Sequence, residues 1–273
     1  MAAAAEKAVG RVDTLVNNAG VPGRGLLVQA RSGGPANSNT CPTKLRNERN
    51  MITIHHLENS QSIRILWLLE ELEVGYEIQH YKRGGPGTSA PQEFKDLHII
   101  GTSPIMSDAD VVLPETNAIV DYILDRHPSA TLRPEPDSPQ RTRYLYWLHA
   151  TQASLMPLLL DALMYGRIIS NAPEANREVI RQEVDKIRNG FVIARYDRIM
   201  SFMDDDLGRS TWLSGDELTA ADIVMGYCLS VAEVRVGRLE NRPNVRRFLD
   251  QMRARPAYQR ALEKNGPFKP LTA

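Results

Sequence analysis

The sequence predicts a small α/β domain followed by a larger all-α domain. Three observations predict it. Residues 51–127 alternate between short apolar runs and segments with a helical period. Pro128, Pro134, Pro136 and Pro139 then punctuate a polar stretch suited to a domain boundary. Beyond it the apolar spacing is helical almost to the end of the 273-residue chain. That length suits one large domain or two small ones at roughly 100–200 residues each.

Residues 1–50 stand apart. They hold Gly10, Gly20, Gly23, Gly25, Gly33 and Gly34 and no aromatic residue, and residues 21–50 show neither a helical nor a strand period. This stretch reads as a flexible leader, not a folded domain. At Met51 the texture changes. Ile52 and Ile54 alternate with polar residues over a short strand, 52–55. Ile65, Leu68, Leu69 and Leu72 share one face of a helix over 62–74, and Gly75 follows as its C-terminal cap. A second strand is expected over 76–81. Gly84, Gly85, Pro86 and Gly87 make 82–90 a loop, and 91–98 a short helix follows. Residues 104–106 and 111–113 are apolar, and Ser107-Asp108-Ala109-Asp110 between them is turn chemistry, so they read as a β-hairpin. Ala118, Ile119, Tyr122 and Ile123 define a helix over 115–127, stopped by Pro128. The order is β-α-β-α-β-β-α over 51–128. A linker over 129–139 leads to a helical domain over 140–273, with helices at 141–169, 177–205, 219–236, 244–255 and 257–264.

Composition narrows the function. Apolar residues make up 42% and charged residues 24%, enough for a sizeable core. Lys plus Arg equals Asp plus Glu at 33 each, so no global field favours nucleic acid or an anionic membrane. No continuous apolar run approaches the roughly 20 residues of a membrane span. The N-terminus lacks the basic start and apolar core of a secretory signal. Two cysteines, Cys41 and Cys228, exclude a disulfide scaffold and a thiolate zinc cluster; a reducing, cytoplasmic location is expected.

Four short segments carry chemistry. Asn59-Ser60-Gln61-Ser62 precedes the first helix, where unpaired N–H groups and the helix dipole favour an anion; locally an N-cap is the simpler reading. Ser103-Pro104 opens the third strand, where proline loses no ladder N–H and the bond can be cis. Glu115-Thr116 heads the third helix, either as a cap or as a seat for a ligand with both an ammonium and a carboxylate. Thr219 followed by Asp222 is a capping-box variant with Leu218 as staple, assigned to stability.

In this order and on this element pattern, the four segments resemble the glutathione transferase family. The opening from His55 to Leu72 looks like the start of its fungal and bacterial members. Tyr144-Leu145-Tyr146-Trp147-Leu148-His149, Ser154-Leu155-Met156-Pro157 and Arg255-Pro256-Ala257-Tyr258 fit the same subgroup. The resemblance spans about residues 51–268. It implies a thioredoxin-like N-terminal domain that holds glutathione as co-substrate, and a helical domain that walls a pocket for a small apolar electrophile. It also implies a homodimer, no metal, no nicotinamide cofactor and no nucleic acid. By this resemblance Ser60, four residues before Arg64, is the catalytic hydroxyl, with Ser62 as fallback. Asn59, Thr102, Ser103, Pro104, Glu115 and Thr116 bind glutathione, Glu115 and Thr116 at its γ-glutamyl end. The alternatives are a non-catalytic binding or regulatory module on the same fold, or a glutathione-dependent isomerase or peroxidase.

The magnitudes are sufficient. A free thiol has a pKa of about 8.5. Lowering it by about two units requires about 2.7 kcal/mol of thiolate stabilisation. One hydrogen bond to a charged group supplies about 1.5–3 kcal/mol and a helix N-terminus roughly 0.3–1. The chain departs from the subgroup at Thr102, where lysine is usual, at Pro114, where a small residue is usual, and at Ala109, in place of a turn glycine. Thr102 brings no charge for the glycine carboxylate of glutathione.

Other residues read as structural. Residues 12–20 resemble the Asn-Asn-Ala-Gly strand end of short-chain dehydrogenases, as an isolated fragment without a glycine-rich cofactor loop or a Tyr–Lys pair. His55 and His56 point to opposite faces of a strand and cannot share a metal. Cys228 is a core residue of an apolar helix. Tyr144, Trp147 and Tyr165 are either pocket walls or core, and Arg242, Arg246 and Arg247 form a solvated helix face.

Overall fold

A computed structural model describes residues 51–84, 89–266 and 269–272. The leader over 1–50, with its dehydrogenase-like stretch and Cys41, lies outside the described residues.

The first half contains β1 (Ile52–Leu57), α1 (Ile63–Glu71), β2 (Tyr76–Tyr81), α2 (Gln92–Lys95), β3 (Ile105–Asp108), β4 (Val111–Pro114) and α3 (Thr116–Arg126). This is the expected order, in a thioredoxin-like arrangement. The sheet runs β2-β1-β3-β4. β1 and β2 are parallel, with Ile54 opposite Ile78, and α1 provides the crossover that a parallel pair needs. β3 lies antiparallel to β1, with Met106 opposite Ile54, and β4 antiparallel to β3, with Leu113 opposite Met106. Ala109 takes φ +50° in the hairpin turn, the left-handed conformation that glycine adopts most easily.

The second half is helical. α4 (Arg141–Ala150) and α5 (Met156–Ser170) are joined by a π turn, Thr151–Leu155. α6 (Arg177–Ile187) and α7 (Ala194–Leu207) are joined by another, Arg188–Ile193. Two long helices were the expectation here, and each contains a break with a local cause. The Thr151 hydroxyl donates to the Trp147 carbonyl at 2.7 Å, and Pro157 has no N–H for the preceding turn. Gly190 sits inside the second break. α8 (Ala220–Arg235), α9 (Pro243–Ala254) and α10 (Pro256–Asn265) complete the chain. Together α4, the π turn and α5 form one 30-residue stretch, Arg141–Ser170, with a mean hydropathy of 1.2 over its most apolar window. It is the one helix among the described residues long and apolar enough to cross a membrane, which the interrupted sequence pattern does not reveal. It buries Tyr144, Trp147, Leu148 and Leu159 in the protein core.

α1 organises both halves. Every residue from Ile63 to Glu70 is buried. Its neighbours are β1, α3, α8 and α10. Trp67 meets the Tyr258 ring edge-on at 5.1 Å and donates from Nε1 to Glu71 at 2.8 Å. Glu71 accepts two hydrogen bonds from Arg255, at 2.6 and 2.8 Å. Glu70 accepts from Tyr76 at 2.7 Å, Arg260 at 2.8 Å and Lys264 at 2.5 Å. Burial alone would raise the Glu70 pKa, but these donors outweigh it and hold the carboxyl at about 2.

α8 is buried from Ala220 to Ala232 and carries the capping box the sequence predicts. Asp222 accepts from the Thr219 N–H, the Thr219 hydroxyl and the Leu213 N–H, each at 2.8 Å. The solvated-face reading of the arginines is corrected. Only Arg246 is exposed. Arg242 pairs with Asp197 at 3.0 Å, and Arg247 donates to the Leu207 and Ser210 carbonyls, so both tie helices together.

Gly226 lets α8 approach α1. A Cβ there would stand 2.3 Å from Met252 Sδ and 3.0 Å from Trp67 Cζ3. In an open helix, alanine would be favoured over glycine by about 1 kcal/mol. Here Gly226→Ala is expected to lower stability by about 1–2 kcal/mol instead, because the wedge crowds a packed core. Urea unfolding monitored by tryptophan fluorescence checks this, and a stabilised variant would contradict it.

Candidate functional site

The site begins at the head of α1. Ser62 occupies the N-cap position, yet its hydroxyl makes no cap hydrogen bond. The local preference for a cap is therefore not realised; the hydroxyls bond to one another instead. Ser60 Oγ lies 2.8 Å from Ser62 Oγ and 2.8 Å from Ser103 Oγ. Ser62 Oγ lies 2.8 Å from Nδ1 of His56. Three hydroxyls and an imidazole thus form one hydrogen-bonded chain, with Ser60, Ser62 and His56 all buried. Burial pushes the His56 pKa down to about 4; nearby His80 acts in the same sense, and Glu58 and the Asn265 backbone oppose it. The ring is therefore neutral at neutral pH. The signal for its inward position lies in the sequence: His56 shares the alternation of Ile52 and Ile54.

Ser60 opens onto a cleft of about 320 Å³. Asn59, Ser60, Gln61, Thr102 and Ser103 form one wall; Met156, Leu160, Leu163 and Tyr227 form the facing wall. Arg83, Lys95 and Arg235 also line it, together with Leu271 from the C-terminal segment. Asn59 has φ +53°, and its Oδ1 accepts from the Lys269 N–H at 2.9 Å. Gln61 Nε2 donates to the Ser103 carbonyl at 2.9 Å, so that acceptor already has one donor.

The Ser103–Pro104 bond is cis, and Pro104 is buried where β3 begins. The last ladder pair of the hairpin is Ile105 with Pro114. This register carries Glu115 and Thr116 to the same edge as Ser103 and Pro104. Glu115 takes φ +74° and caps nothing with its side chain. It is exposed, while Thr116 is fully buried and its Oγ1 has no hydrogen-bond partner. Neither residue works as a side-chain cap, so the simpler local reading fails here too. A buried hydroxyl without a partner at a helix N-terminus leaves polar capacity for a ligand.

Tyr144 and Trp147 do not line the cleft. Both are buried, and Trp147 donates from Nε1 to Asp206 at 2.9 Å. Tyr165 packs against the same core. The apolar wall comes from α5 residues that the sequence does not distinguish from core. Cys228 is buried, as expected of a core thiol.

The glutathione S-transferase N-terminal domain family matches residues 50–125, and the C-terminal domain family matches residues 170–256. Glutathione S-transferase 3 of Schizosaccharomyces pombe is 32% identical over 216 residues, which is 78% of this chain and 88% of that protein. The chain belongs to the glutathione S-transferase family. Among solved structures, a glutathione S-transferase from Actinobacillus pleuropneumoniae is 30% identical with a TM-score of 0.63, covering 80% of this chain and 95% of that one. A theta-class glutathione S-transferase from Xanthomonas axonopodis pv. citri, solved with glutathione bound, is 26% identical with a TM-score of 0.60, covering 81% and 100%. As a glutathione S-transferase the chain is a transferase with glutathione as co-substrate, on the fold the resemblance implied.

His56 makes stability depend on pH. Its folded pKa lies below the unfolded value of about 6.5, so below that pH the unfolded chain binds the proton first. The stability contributed by the neutral ring is complete above about pH 6.5 and is lost as pH falls toward 4. His56→Gln is expected to remove about 3 kcal/mol of the loss between pH 7 and pH 4. Urea midpoints of both proteins across that range measure it; parallel curves would refute the assignment.

Proposed function

We propose that this transferase holds glutathione along the edge formed by Ser103, Pro104, Glu115 and Thr116, and activates its thiol with Ser60. The observation that carries the reading is the Ser60 hydroxyl, held on two sides by Ser62 and Ser103 at the wall of the cleft. A hydroxyl has one proton. When Ser60 accepts from Ser62 or Ser103, that proton is left for the sulfur. One tautomer of His56 completes the sequence, with Nδ1–H donating to Ser62 and Ser62 donating to Ser60. The thiol proton leaves to solvent, the thiolate attacks the electrophile, a C–S bond forms, and the leaving group departs with its electron pair. Low local dielectric and fixed donors favour the thiolate over the thiol.

The γ-glutamyl carboxylate sits at the head of α3 against Thr116, and Glu115 takes the ammonium. Asn59 adds its amide Nδ2. Thr102 has no charge, and Lys95 and Arg83 in the same cleft replace the missing lysine for the glycine carboxylate. The apolar body of the electrophile packs on Met156, Leu160 and Leu163. In domain terms, residues 51–128 hold glutathione, 129–139 link, and 140–273 supply this wall. A reducing, cytoplasmic setting suits the free thiol of Cys228.

Calorimetry with glutathione, together with its ultraviolet thiolate band, tests the site. Wild type and Ser60→Ala are both expected to bind. The variant should raise the bound thiol pKa by about 1–2 units, the equivalent of one charged hydrogen bond of about 1.5–3 kcal/mol. Ser62→Ala should move it less, in the same direction. Absence of binding by wild type would favour the non-catalytic module, and an unchanged thiolate in Ser60→Ala would remove Ser60 as the activating group and point to Ser62.

The homodimer is also proposed. Tyr146 and Phe202 are 47% exposed each, with ring centroids 5.7 Å apart, and Leu145 beside them is 39% exposed. An aromatic patch of this kind suits an interface core. Phe202→Glu is expected to halve the mass seen by light scattering; an unchanged mass would place the interface elsewhere.

A further inference from the structure

The cleft is cationic in a chain of zero net charge. Arg83, Lys95 and Arg235 line it, and no Asp or Glu is among the described residues that do. Arg235, on α8, donates from Nε to the Leu271 carbonyl at 2.8 Å and from Nη1 to the Leu159 carbonyl at 3.3 Å. Among the described residues it forms no ion pair with an Asp or Glu, and another cation, Arg167, is near enough to act on it. Burial, and after it Arg167, lower its pKa from the ordinary arginine value.

A second cation stands behind the same wall. Arg64 is 1% exposed. Its Nη1 donates to Gln152 at 3.0 Å, its Nη2 faces Cys228 Sγ at 3.3 Å and Met156 Sδ at 3.8 Å, and its guanidinium lies 4.5 Å from the centre of the Tyr227 ring. Its Nε has no partner, and no carboxylate among the described residues pairs with it. Met156 and Tyr227, which it touches, are themselves cleft walls. A buried cation without a counter-charge is costly, and the cost falls when an anion arrives.

Glutathione does not use all of this charge. On the proposed reading its γ-glutamyl end sits at the head of α3, and its glycine carboxylate meets Lys95 or Arg83, both from the α/β half. Arg235 remains, on the helical half, beside the α5 residues that wall the electrophile. Resting on that reading, we propose that the second substrate carries an anionic group, a carboxylate or its equivalent, that pairs with Arg235 while its apolar body packs against Met156, Leu160 and Leu163. The acid is not consumed: only the C–S bond forms, and only the bond to the leaving group breaks.

Two electrophiles with one reactive ring test this, 4-chloro-3,5-dinitrobenzoate and its methyl ester. Each catalysed kcat/KM is divided by the uncatalysed rate with glutathione, which removes their different intrinsic reactivity. In both, the thiolate displaces chloride, which leaves with the electron pair. Wild type is expected to favour the benzoate about tenfold, and Arg235→Gln to abolish that preference. Arg235→Lys should retain part of it. If Arg235 only pins Leu271 and Leu159, both rates fall together and the ratio stays fixed, which overturns the proposal. A wild type that prefers the ester overturns it without any variant. Turnover of neither compound would sink the conjugating reading as well, whereas ester turnover without a benzoate preference sinks this inference alone.

Discussion

Burial of α1 on all sides is the constraint on which the rest of the structure depends. Ile65, Leu66, Trp67, Leu68 and Leu69 have no solvent-facing neighbour among them. Each such side chain contributes about 1.5–3 kcal/mol when removed from water. The sheet and α3 can cover only part of the helix, so α8 and α10 must cover the remainder. The two halves are therefore joined through a shared core and not through a thin interface. The head of α1 is consequently fixed at the seam, and whatever chemistry it carries faces both the strand edge and the helical wall. Gly226 serves the same end by letting α8 close on Trp67.

Polar groups differ in how fully they are paired. The carboxylates that hold α1 and α8 are satisfied: Glu70 has three donors, Glu71 has Arg255 and Trp67, and Asp222 has three hydrogen bonds of its own. Near the cleft, Thr116 Oγ1, Arg64 Nε and His56 Nε2 are buried without partners, as are Tyr144 Oη, Arg143 Nε and Arg242 Nε elsewhere in the helical half. Each such group costs free energy until something pairs with it. Only those beside the cleft are placed where a ligand could do so.

The fold was largely legible because its signals are local. Strand alternation, the hairpin and the capping box at Thr219 each lie within a few residues, and the structure reproduces them, with the turn shortened from 107–110 to Ala109–Asp110 because Ser107 and Asp108 pair within the ladder. The π turns were not legible, since Pro157 and Thr151 act through the register of a single helical turn. The site was legible only in part. Ser60, Ser103 and Thr116 stand out once the family pattern is recognised, although local preference assigns Ser60 and Thr116 to caps that do not form. His56 could have been read from the alternation of β1. Lys95, Arg83 and Arg235 could not, because nothing near them in sequence marks a charge that tertiary placement later brings into one cleft. The same holds for Arg242 and Arg247, whose helix face looks solvated until Asp197 and the Leu207 carbonyl are brought against it.

Zero net charge and a cationic cleft are compatible because the carboxylates are committed elsewhere. Glu70 and Glu71 are taken up by Arg260, Lys264 and Arg255 at the far end of α1, and Asp197 by Arg238 and Arg242. Asp108, Asp121 and Asp125 pair with Arg126 and Arg133 along α3 and the following linker. Glu58 lies beside Arg83 and offsets part of its charge, but the lining of the cleft itself carries Arg83, Lys95 and Arg235 and no carboxylate, in a partly dry space where each charge acts more strongly than in water. On the proposed reading, the same charge lets the chain do without a lysine at Thr102. A carboxylate needs a cation within reach, not a cation at one position in sequence, and the cleft offers Lys95 and Arg83 from a different segment. On the proposed reading, the absent lysine leaves cations in the cleft, and discrimination between second substrates falls to Arg235 and the α5 wall.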